Sequence, residues 1–368
     1  MAQRKIYATT LETAFKQLTL DGSTMSGFEA YRQIDRLTKN RNAMAHAWQE
    51  PLYVTFLELA LFSKSLSART SGTTGPPKRV RIPRRDLVNS ARITADTFDL
   101  KPGDRVLHCL PSDFIAGKMM IVRAFALSLD LHIIDPRGSI LENLKIADRF
   151  RFTAMVPLQL HRAIHEDRAR VERQFEMILL GGGPVSDALI EDLQGLSTQV
   201  YQGYGSTETV THVAMRRLNG PEPHGTFKAL GKVHFARDPR GCLVVYTPHL
   251  SVKQHVTNDL VELLDDTHFR WLGRWDHVIL SGGKKIFPEQ LEAKTAGQLP
   301  YPHYFSSMPD PVLGQAVVLM LETNNPQEEV LPEVMDRIMK ILHPHEWPRR
   351  VIALKKIERT SSGKVKRQ

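Results

Sequence analysis

The chain has few cysteines, no long apolar run and no recognisable leader. Cys109 and Cys242 are the two cysteines among 368 residues, and neither lies in a spacing typical of a zinc site or a redox pair. We therefore expect free, buried thiols in a reducing compartment rather than a disulfide framework. No apolar stretch approaches the roughly 18 residues of a membrane-crossing helix. The N-terminal residues Met1–Lys5 lead into a mixed polar segment, so no signal peptide is predicted and a cytoplasmic location is favoured.

The positive charge of the chain is concentrated at one end. The net charge is +9, and eight basic residues against one acid between Trp347 and Gln368 account for +7 of it, which leaves about +2 elsewhere. No aromatic stacking pattern accompanies this basic segment, so the sequence argues against a nucleic-acid-binding protein. The basic end suits a solvated tail or a contact with an anionic ligand such as a nucleotide or coenzyme A.

A nine-residue run, Thr70–Lys78, contains hydroxyl residues, two glycines and a lysine, and no apolar side chain except its prolines. Glycines let backbone N–H groups approach phosphate oxygens, hydroxyls donate hydrogen bonds, and Lys78 supplies positive charge. The Walker A pattern is absent, because Lys78 follows Gly75 by three positions and precedes Arg79. The run is either a solvated turn or a phosphate-binding loop.

The middle of the chain alternates between strand and helix patterns. Short apolar strands are predicted at 105–110, 131–135, 152–156, 177–180 and 198–201, with helical patterns at 87–98, 117–129, 158–175 and 186–196 between them. This alternation predicts an α/β fold with a largely parallel sheet and helices on its faces. Ligands of such sheets bind beyond the carboxyl ends of the strands.

Two glycine-rich loops are predicted at those strand ends. Gly181–Gly183 follows one strand, and the segment Gln202–Thr209 follows the next one. The second segment offers an aromatic ring at Tyr204, a hydroxyl at Thr207 and a carboxylate at Glu208. A carboxylate next to a phosphate-binding hydroxyl is expected where a hard cation such as Mg²⁺ bridges them. Its glycines do not form a dinucleotide fingerprint, since Glu208 stands at the third glycine position. Each loop can also be a tight turn.

The composition of the chain changes near residues 274–276. We predict a large domain at 1–274 and a small α+β domain at 275–368, with another open loop at Ser281–Gly283. Near the C-terminus, Lys364 follows Gly363 and could enter a cleft as a point charge on a flexible stem. On these grounds alone, however, a lysine in such a tail is expected to be solvated.

In combination, these stretches resemble the acyl-adenylate-forming superfamily of acyl- and aryl-CoA synthetases, adenylation domains and luciferases. The matched segments are Thr70–Lys78, Tyr204–Thr209, Asp259, Gly273–Asp276 with Ser281–Gly283, and Gly363-Lys364, in the family's order. The resemblance implies a large α/β domain with parallel-rich sheets plus a small, mobile α+β domain. Only 69 residues precede the first loop, so it also implies a shortened N-terminal scaffold. Among short members, the chain is most similar to the 2-succinylbenzoate–CoA ligases of menaquinone synthesis.

The resemblance implies that ATP, Mg²⁺ and coenzyme A bind to the matching positions. The β- and γ-phosphates of ATP would be held by Ser71, Gly72, Thr73, Thr74, Gly75 and Lys78. The adenosine would be bordered by Gly181, Gly182, Gly183 and Tyr204, with Asp259 on the ribose and Arg274 nearby. Coenzyme A would approach the face formed by Ser281, Gly282 and Gly283.

The chemical steps are assigned by the same resemblance. Thr207 would contact the α-phosphate, and Glu208 would bind Mg²⁺. Lys364 would bridge the carboxylate and the α-phosphate during adenylation. Asp276 would be the hinge about which the small domain rotates, removing Lys364 before a thiol attacks the activated carbonyl.

The acid-binding part of the sequence departs from the family pattern. Where many CoA ligases carry a gate histidine after a Leu-Pro pair, this chain has Phe114. Asp113 keeps open an amino-acid-activating enzyme, because such enzymes place an aspartate there to hold the ammonium, although no carrier-protein domain is present. Lys118 could pair with a second substrate carboxylate or lie on a surface helix. Gly205 is also predicted to border the substrate.

Other chemistry-bearing patterns in the sequence are weaker. His161 and His165 have an i, i+4 metal-ligand spacing, but no glutamate lies between them and the surrounding charges suggest a solvated helix. No nucleophile–histidine–acid triad can be assembled from spacing.

Three functions remain in competition at this stage. The first is an acid–CoA ligase acting on a small-molecule carboxylic acid, with 2-succinylbenzoate as the specific expectation. The second is a stand-alone enzyme that loads an aryl or amino acid onto a carrier-protein thiol, and the third is a nucleotide- or nucleic-acid-binding module. No membrane partner is expected, and a homodimer is left open.

Overall fold

A computed structural model describes residues 15–26, 29, 32, 48–60, 64–69, 79–220, 225–323, 330–359 and 365–367. Its helices are α1 Gln49–Ala60, α2 Arg84–Phe98, α3 Ile115–Leu127, α4 Pro157–Gln174, α5 Asp187–Asp192, α6 Pro288–Thr295 and α7 Val330–Ile341. No helix within these ranges has both the length and the apolar character needed to cross a membrane. The apolar segment 52–62, whose sequence fits either a strand or a helix, lies in α1 as far as residue 60.

The strands of the N-terminal two thirds form one large sheet and a separate hairpin. They are β1 Gln17–Leu20, β2 Ser23–Ser26, β3 Ser65–Arg69, β4 Arg79–Pro83, β5 Arg105–His108, β6 Asp130–Ile133, β7 Phe150–Met155, β8 Phe175–Leu180, β9 Gln199–Gly205, β10 His212–Arg217, β11 Phe227–Ala229, β12 His234–Arg237, β13 Cys242–Tyr246, β14 Gln254–Leu263 and β15 His268–Arg274. A second sheet contains β16 Ile279–Ser281, β17 Lys284–Ile286, β18 His303–Asp310, β19 Gly314–Glu322 and β20 Arg350–Leu354.

The large sheet has a parallel half and an antiparallel half. Its order is β12-β13-β14-β15-β11-β10-β9-β8-β7-β5-β6-β1-β2, and the run from β9 to β6 is parallel throughout. From β9 to β12 every pairing is antiparallel. The predicted α/β class is therefore confirmed, and the antiparallel half adds a feature that the βα alternation did not predict.

The parallel strands are apolar on both faces because helices cover both sides of the sheet. In β8, Met177 and Leu179 belong to the core under α1, α2 and α3, whereas Ile178 and Leu180 belong to the core under α4 and α5. Helix α3 is buried on nearly every face and ends at Ser128, whose backbone is left-handed with φ 55°. These two cores fix the carboxyl edge of the sheet, where the chain's loops emerge.

The C-terminal part has its own sheet and its own core. The strand order there is β17-β16-β19-β18. Strand β20, which is outside this order, pairs in parallel with β19. A separate apolar cluster, including Ile279, Phe305 and Leu319, lies between this sheet and helices α6 and α7. The division at residues 274–275 into two domains remains a prediction, which this arrangement supports.

Two predicted boundaries are wrong in a way that affects the site. The strand predicted at 198–201 continues to Gly205, because β10 pairs with it as far as His212 and keeps the backbone extended. Tyr204 therefore lies on a strand, and the loop begins only at Ser206. Likewise, the sequence predicts that Trp271–Asp276 precedes a strand at 277–280, but Trp271–Arg274 lies within β15, where Arg274 pairs with Asp259.

Candidate active site

Four connections leave the parallel strands at one edge of the sheet. They follow β5, β7, β8 and β9, which are neighbours in the sheet and run in the same direction. The candidate residues after β8 and β9 therefore lie side by side, as predicted from the strand order. Gly181 begins its loop with a hydrogen bond from its N–H to the carbonyl of Met155, which is the last residue of β7. This bond ties the loop after β8 to the end of the neighbouring strand.

The loop Gly181–Gly183 offers bare backbone at this edge. Gly182 has φ +81°, a conformation that favours glycine, and a β-carbon there would lie 3.4 Å from Val156. Gly181 and Gly183 have open space where a side chain would lie. A group bound at this edge would meet bare backbone, and the place of the loop beside adenine remains a prediction.

The turn after β9 is held by the side chain of Thr209. Its hydroxyl accepts a hydrogen bond from the N–H of Ser206 at 2.8 Å and lies 2.9 Å from the carbonyl of Thr211, to which it donates. Within this turn Thr207 is buried and Glu208 is exposed. The carboxylate of Glu208 therefore faces solvent at the edge of the sheet, where it is available to a ligand or cation.

Val210 ends this turn in a strained conformation. Its φ is +68°, which a β-branched residue adopts rarely because of steric conflict with its own backbone. Its N–H donates to the carbonyl of Thr207 at 3.1 Å, and its side chain is buried. Strain of this kind concentrates at functional sites, where the surrounding structure maintains it. The strained backbone of Val210 therefore indicates a functional role for the Thr207–Glu208 turn without reference to any sequence motif.

Tyr204 connects β9 to the antiparallel half of the sheet. Its hydroxyl donates to Oδ2 of Asp259 at 2.6 Å, and its ring packs edge-on against Phe269. Burial and the neighbouring Asp259 carboxylate raise the pKa of the Tyr204 phenol well above its usual value. The phenol therefore stays neutral and acts as a hydrogen-bond donor. The adjacent Nε1 of Trp271 donates to Oδ1 of Asp259 at 3.3 Å.

Arg274 links Asp259 to Asp276. Its guanidinium donates to both oxygens of Asp276, at 3.1 and 2.9 Å, and Nη1 lies 3.8 Å from Asp259. Burial alone would raise the pKa of Asp276, but the hydrogen bonds and charge of Arg274 outweigh it and lower that pKa. Asp276 lies in a single 3₁₀ turn, Trp275–His277, between the last strand of the large sheet and β16. A residue at such a junction can serve as the predicted hinge, and this role is still a prediction.

The junction is packed rather than loose. Gly273 has φ +154°, and a β-carbon there would lie 3.0 Å from both Glu289 and Phe287 at the start of α6. The side-chain amide of Gln290 donates to the carbonyl of Leu272 at 2.9 Å. His277 also contacts the carboxylate of Glu289. Rotation about Asp276 would have to break these contacts.

Phe114 lies beside Arg69, the last described residue before the predicted phosphate loop. It precedes α3, is half-buried, and forms an isolated parallel bridge with Arg69, the residue before Thr70. Gly117 allows α3 to approach this turn, since a β-carbon there would lie 2.3 Å from the carbonyl oxygen of Pro111. The structure thus places the gate position next to the end of β3.

Lys118 is not on a surface helix, and that alternative is wrong. Its side chain is buried, and Nζ donates to the hydroxyl of Thr55 in α1 at 2.8 Å. Burial lowers the pKa of the Lys118 ammonium, against an opposing effect of Glu58 and Asp113. A role toward a substrate carboxylate remains a prediction, while the observed contact joins α3 to α1.

Ser281–Gly283 is a tight turn and not the predicted open loop. Ser281 is the last residue of β16 and pairs with Lys284 in β17, so the two glycines form a two-residue hairpin turn. Their φ values of +56° and +76° suit the hairpin turn that glycine favours. The N–H of Gly282 donates to the carbonyl of Leu313 at 3.0 Å. A contact of this turn with coenzyme A remains a prediction.

The predicted phosphate loop and the predicted catalytic lysine lie outside the described residues. They are Ser71, Gly72, Thr73, Thr74, Gly75, Lys78 and Lys364. Their neighbours are described: Arg69 pairs with Arg79 across the β3–β4 hairpin, and Arg359 forms a bridge with Val365. Arg367 donates to both oxygens of Glu292, each at 2.7 Å. The segments flanking both candidates are therefore anchored.

Sequence reasoning missed the buried Arg123. It is 2% exposed, donates from Nε to Thr94 and from Nη2 to Thr211, and so joins α2 and α3 to the segment just after the Thr207–Glu208 turn. Burial lowers its pKa to about 9. The sequence did contain a signal for this buried residue, because Arg123 is the single charged residue within the otherwise apolar run Met119–Leu127. Its contacts indicate that Arg123 helps to position the turn.

We expect Tyr204→Phe to lower the free energy of unfolding by about 1.5–3 kcal/mol, the usual value of a hydrogen bond to a charged group. The substitution removes the hydroxyl that donates to Asp259 and leaves the packed ring in place. Urea unfolding measures the difference. Tyr201→Phe is the matched control, because its hydroxyl on the same strand donates to the neutral amide of Gln199, and the loss should be about 1 kcal/mol. Equal losses in both variants would contradict the importance of the Asp259 contact.

The donor set of this edge fits a nucleotide and a hard cation. Asp259 accepts one hydrogen bond on each oxygen, from Tyr204 and Trp271, and each oxygen retains a lone pair for a ribose hydroxyl. Mg²⁺ is commonly held by one or two carboxylates together with substrate phosphates. The exposed Glu208 carboxylate beside the Thr207 hydroxyl meets that requirement.

Comparison with known proteins agrees with this arrangement. The family model described as AMP-binding enzyme matches residues 69–239. An acyl-CoA synthetase (AMP-forming)/AMP-acid ligase II-like protein from Dyadobacter fermentans is 34% identical, with 87% of this chain and 93% of that chain covered and a TM-score of 0.58.

Two further relatives are more distant. The 2-succinylbenzoate–CoA ligase of Lactococcus lactis is 23% identical over 81% of this chain and 69% of its own length. The O-succinylbenzoate coenzyme A synthetase of Bacillus subtilis, solved with ATP and magnesium ion, is 22% identical over 81% of this chain and 68% of that chain, with a TM-score of 0.69. At this identity the structural likeness bears on the fold alone.

Proposed function

This chain belongs to the AMP-binding enzyme family and is an AMP-forming acid–CoA ligase, and on that premise we propose that its acid is 2-succinylbenzoate. The product would be the coenzyme A thioester used in menaquinone biosynthesis. The proposal rests on the name carried by the Lactococcus lactis relative and on the sequence resemblance to short ligases of this kind.

One observation gives the main support for the proposed site. Tyr204, Asp259 and Arg274 come from three strands and meet at the end of β9, next to the Thr207–Glu208 turn, where Asp259 accepts a hydrogen bond from Tyr204 and forms an ion pair with Arg274. The family motifs mark these side chains for the adenosine and the adjacent Thr207 for the α-phosphate. A binding site for the adenylate at this edge is the arrangement that they support best.

The proposed chemistry begins from a poor electrophile. A carboxylate is resistant to attack by a thiol, so its oxygen first attacks the α-phosphorus of ATP, and the bond to pyrophosphate breaks. The resulting mixed anhydride has AMP as a good leaving group, which the thiolate of coenzyme A displaces at the carbonyl carbon. Because two anions meet in the first step, charge neutralisation and alignment are the main demands on the protein.

Different residues of this chain would provide the alignment of the reactants and the neutralisation of their charge. Asp259 would fix the ribose, Tyr204 would hold Asp259 by its neutral phenol, and the Thr207 hydroxyl would donate to the α-phosphate. Lys364 would supply the cation between the carboxylate and the α-phosphate. Mg²⁺, bound by Glu208, would neutralise phosphate charge when present.

We propose that the two half-reactions use different placements of the C-terminal part. Residues 275–368 would rotate about Asp276 relative to residues 1–274, which withdraws Lys364 and brings Ser281–Gly283 toward coenzyme A. The Arg274–Asp276 pair and the packing of Gly273 against α6 are the contacts that such a rotation would alter.

We expect Glu208→Gln to raise the Mg²⁺ concentration needed for half-maximal adenylation by about tenfold, because the amide is uncharged and a poorer ligand for a hard cation. The measurement is a Mg²⁺ titration of pyrophosphate release at saturating acid. Glu262→Gln is the control, since Glu262 is an exposed carboxylate on β14 paired with Arg270. An unchanged Mg²⁺ titration in Glu208→Gln would refute the metal-binding role.

The acid is tested by supplying the enzyme with ATP, Mg²⁺ and a panel of carboxylic acids. The panel contains 2-succinylbenzoate, benzoate, medium-chain fatty acids and amino acids, with coenzyme A present or absent. We expect AMP release to be greatest with 2-succinylbenzoate and coenzyme A together. Preference for another acid would overturn the substrate, and adenylation without coenzyme A consumption would favour loading of a carrier-protein thiol instead.

A further inference from the structure

Two histidines of α4 and the last residue of α5 form a compact cluster on the outer side of the sheet. Ligand atoms of His161, His165 and Asp192 all lie within 4.8 Å of one another, and within the described ranges this is the one such group of three. The imidazoles lie with ring centroids 4.1 Å apart, and all three side chains are at least one third exposed. The cluster is therefore open to an ion from solvent.

The distances in the cluster suit a shared ion better than direct hydrogen bonds. Oδ2 of Asp192 lies 3.6 Å from Nδ1 of His161 and 3.9 Å from Nε2 of His165. Both separations exceed hydrogen-bond length. Ligands about 2.0–2.1 Å from a tetrahedral Zn²⁺ lie about 3.3–3.4 Å apart. The two aspartate–histidine separations would therefore have to shorten by a few tenths of an ångström, and the histidine nitrogens, which lie within 4.8 Å of each other, by up to about 1.4 Å, which side-chain rotation at this exposed site allows.

The backbone already orients His165 for coordination. Its Nδ1 lies 2.9 Å from the carbonyl oxygen of His161, an acceptor, so Nδ1 carries the hydrogen and Nε2 presents its lone pair to Asp192. Metal-bound histidines commonly show this arrangement, in which the second ring nitrogen donates to a carbonyl or carboxylate.

The position of Asp192 is also fixed by contacts that do not use its carboxylate. Arg168 donates to the backbone carbonyls of Asp192 and Gln194, at 2.6 and 2.7 Å. The N–H of Leu193 donates to the carbonyl of Leu189, which closes the last turn of α5. The carboxylate is thus held near the histidines while its oxygens remain available.

From this geometry we propose that His161, His165 and Asp192 bind a divalent transition-metal ion, with Zn²⁺ as the occupant that the ligands favour. Two imidazoles and one carboxylate are a typical three-ligand set for Zn²⁺, and a water molecule would take the fourth position. The site is separate from the proposed Mg²⁺ position at Glu208, and the inference does not depend on the acid–CoA ligase activity.

A bound ion would tie the first half of α4 to the end of α5. Helix α5 follows directly after the loop Gly181–Gly183, which we expect to border adenine. Because the ion would bind the folded arrangement and not the unfolded chain, it would raise the midpoint of thermal unfolding in a concentration-dependent manner. The site would therefore stabilise the side of the sheet that supports the nucleotide loop.

The test measures Zn²⁺ binding to the full chain by isothermal titration calorimetry, with excess Mg²⁺ present to occupy the Glu208 carboxylate. Wild-type protein is expected to take up one equivalent of Zn²⁺ that His161→Ala/His165→Ala lacks, and Asp192→Asn should weaken that binding at least tenfold. Titration with Co²⁺ should give the intense visible absorption of a tetrahedral ion in the wild type alone.

The control variant is His343→Ala/His345→Ala, which removes another close pair of histidines, with ring centroids 5.8 Å apart, that belongs to no three-ligand group in the part of the chain described. It should bind Zn²⁺ as the wild type does. Circular dichroism and metal-free melting confirm that each variant is folded. Absence of the extra equivalent in the wild type, or its retention in His161→Ala/His165→Ala, would overturn the proposal.

Discussion

Lys364→Ala is expected to slow adenylate formation by at least about 100-fold while changing thioester formation from a supplied acyl-adenylate by no more than about threefold. Adenylation brings a carboxylate against the α-phosphate, and removal of the bridging ammonium leaves that repulsion uncompensated. Thiol attack on the finished acyl-adenylate has no such demand. The two rates are measured separately, by pyrophosphate release and by thioester formation.

The chain offers a matched control for this prediction. Lys366 lies two residues further on, is exposed, and has Nζ 3.8 Å from Glu358, a pair that contributes little to stability. Lys366→Ala should therefore retain both half-reactions. Equal loss of both in Lys364→Ala would show that the lysine is structural or that the C-terminal part does not rotate.

Gly205→Ala is expected to lower the free energy of unfolding by about 3 kcal/mol or more. A β-carbon at this position would lie 2.1 Å from the carbonyl oxygen of Thr211 and 2.8 Å from Cα of His212. Both neighbours are backbone atoms of the segment paired with β9, so they cannot yield as a flexible side chain would. The displaced strand would also carry Thr211 away from Arg123 and disturb the Thr207–Glu208 turn.

Gly183→Ala is the comparison for this variant, because Gly183 has open space around it and lies in the neighbouring loop. The free energies of unfolding of the two variants, measured with urea, should differ by most of the loss predicted for Gly205→Ala. If Gly205→Ala proved as stable as Gly183→Ala, the result would contradict the close approach of Gly205 in β9 to the backbone of Thr211 and His212.

Local patterns were sufficient to predict the parallel half of the fold. Residues Met177–Leu180 of β8 form a continuous apolar run that is buried on both faces, and helix α2 shows apolar residues at helical spacing. The glycines after β8 and those at the end of β9 then indicated the edge at which the site lies. Each of these signals resides in residues that are neighbours in the sequence.

The features that the sequence did not predict depend on distant partners. Tyr204 was expected in a loop, but pairing with β10 extends β9 through it. The burial of Lys118 depends on α1, where its hydrogen-bond acceptor Thr55 lies 63 positions earlier in the sequence. The His161–His165 pair lacked a third ligand until the fold placed Asp192 beside it. No local pattern reports contacts of this kind.

The central claim, that the carboxylic acid is activated as an acyl-adenylate, is tested most directly by following oxygen. The enzyme is given the acid that supports greatest turnover, labelled with ¹⁸O in its carboxylate, together with ATP, Mg²⁺ and coenzyme A. Because the carboxylate oxygen that attacks the α-phosphorus stays with AMP, mass spectrometry should find one ¹⁸O atom in each AMP. Label in orthophosphate, or unlabelled AMP formed alongside the thioester, would contradict the account.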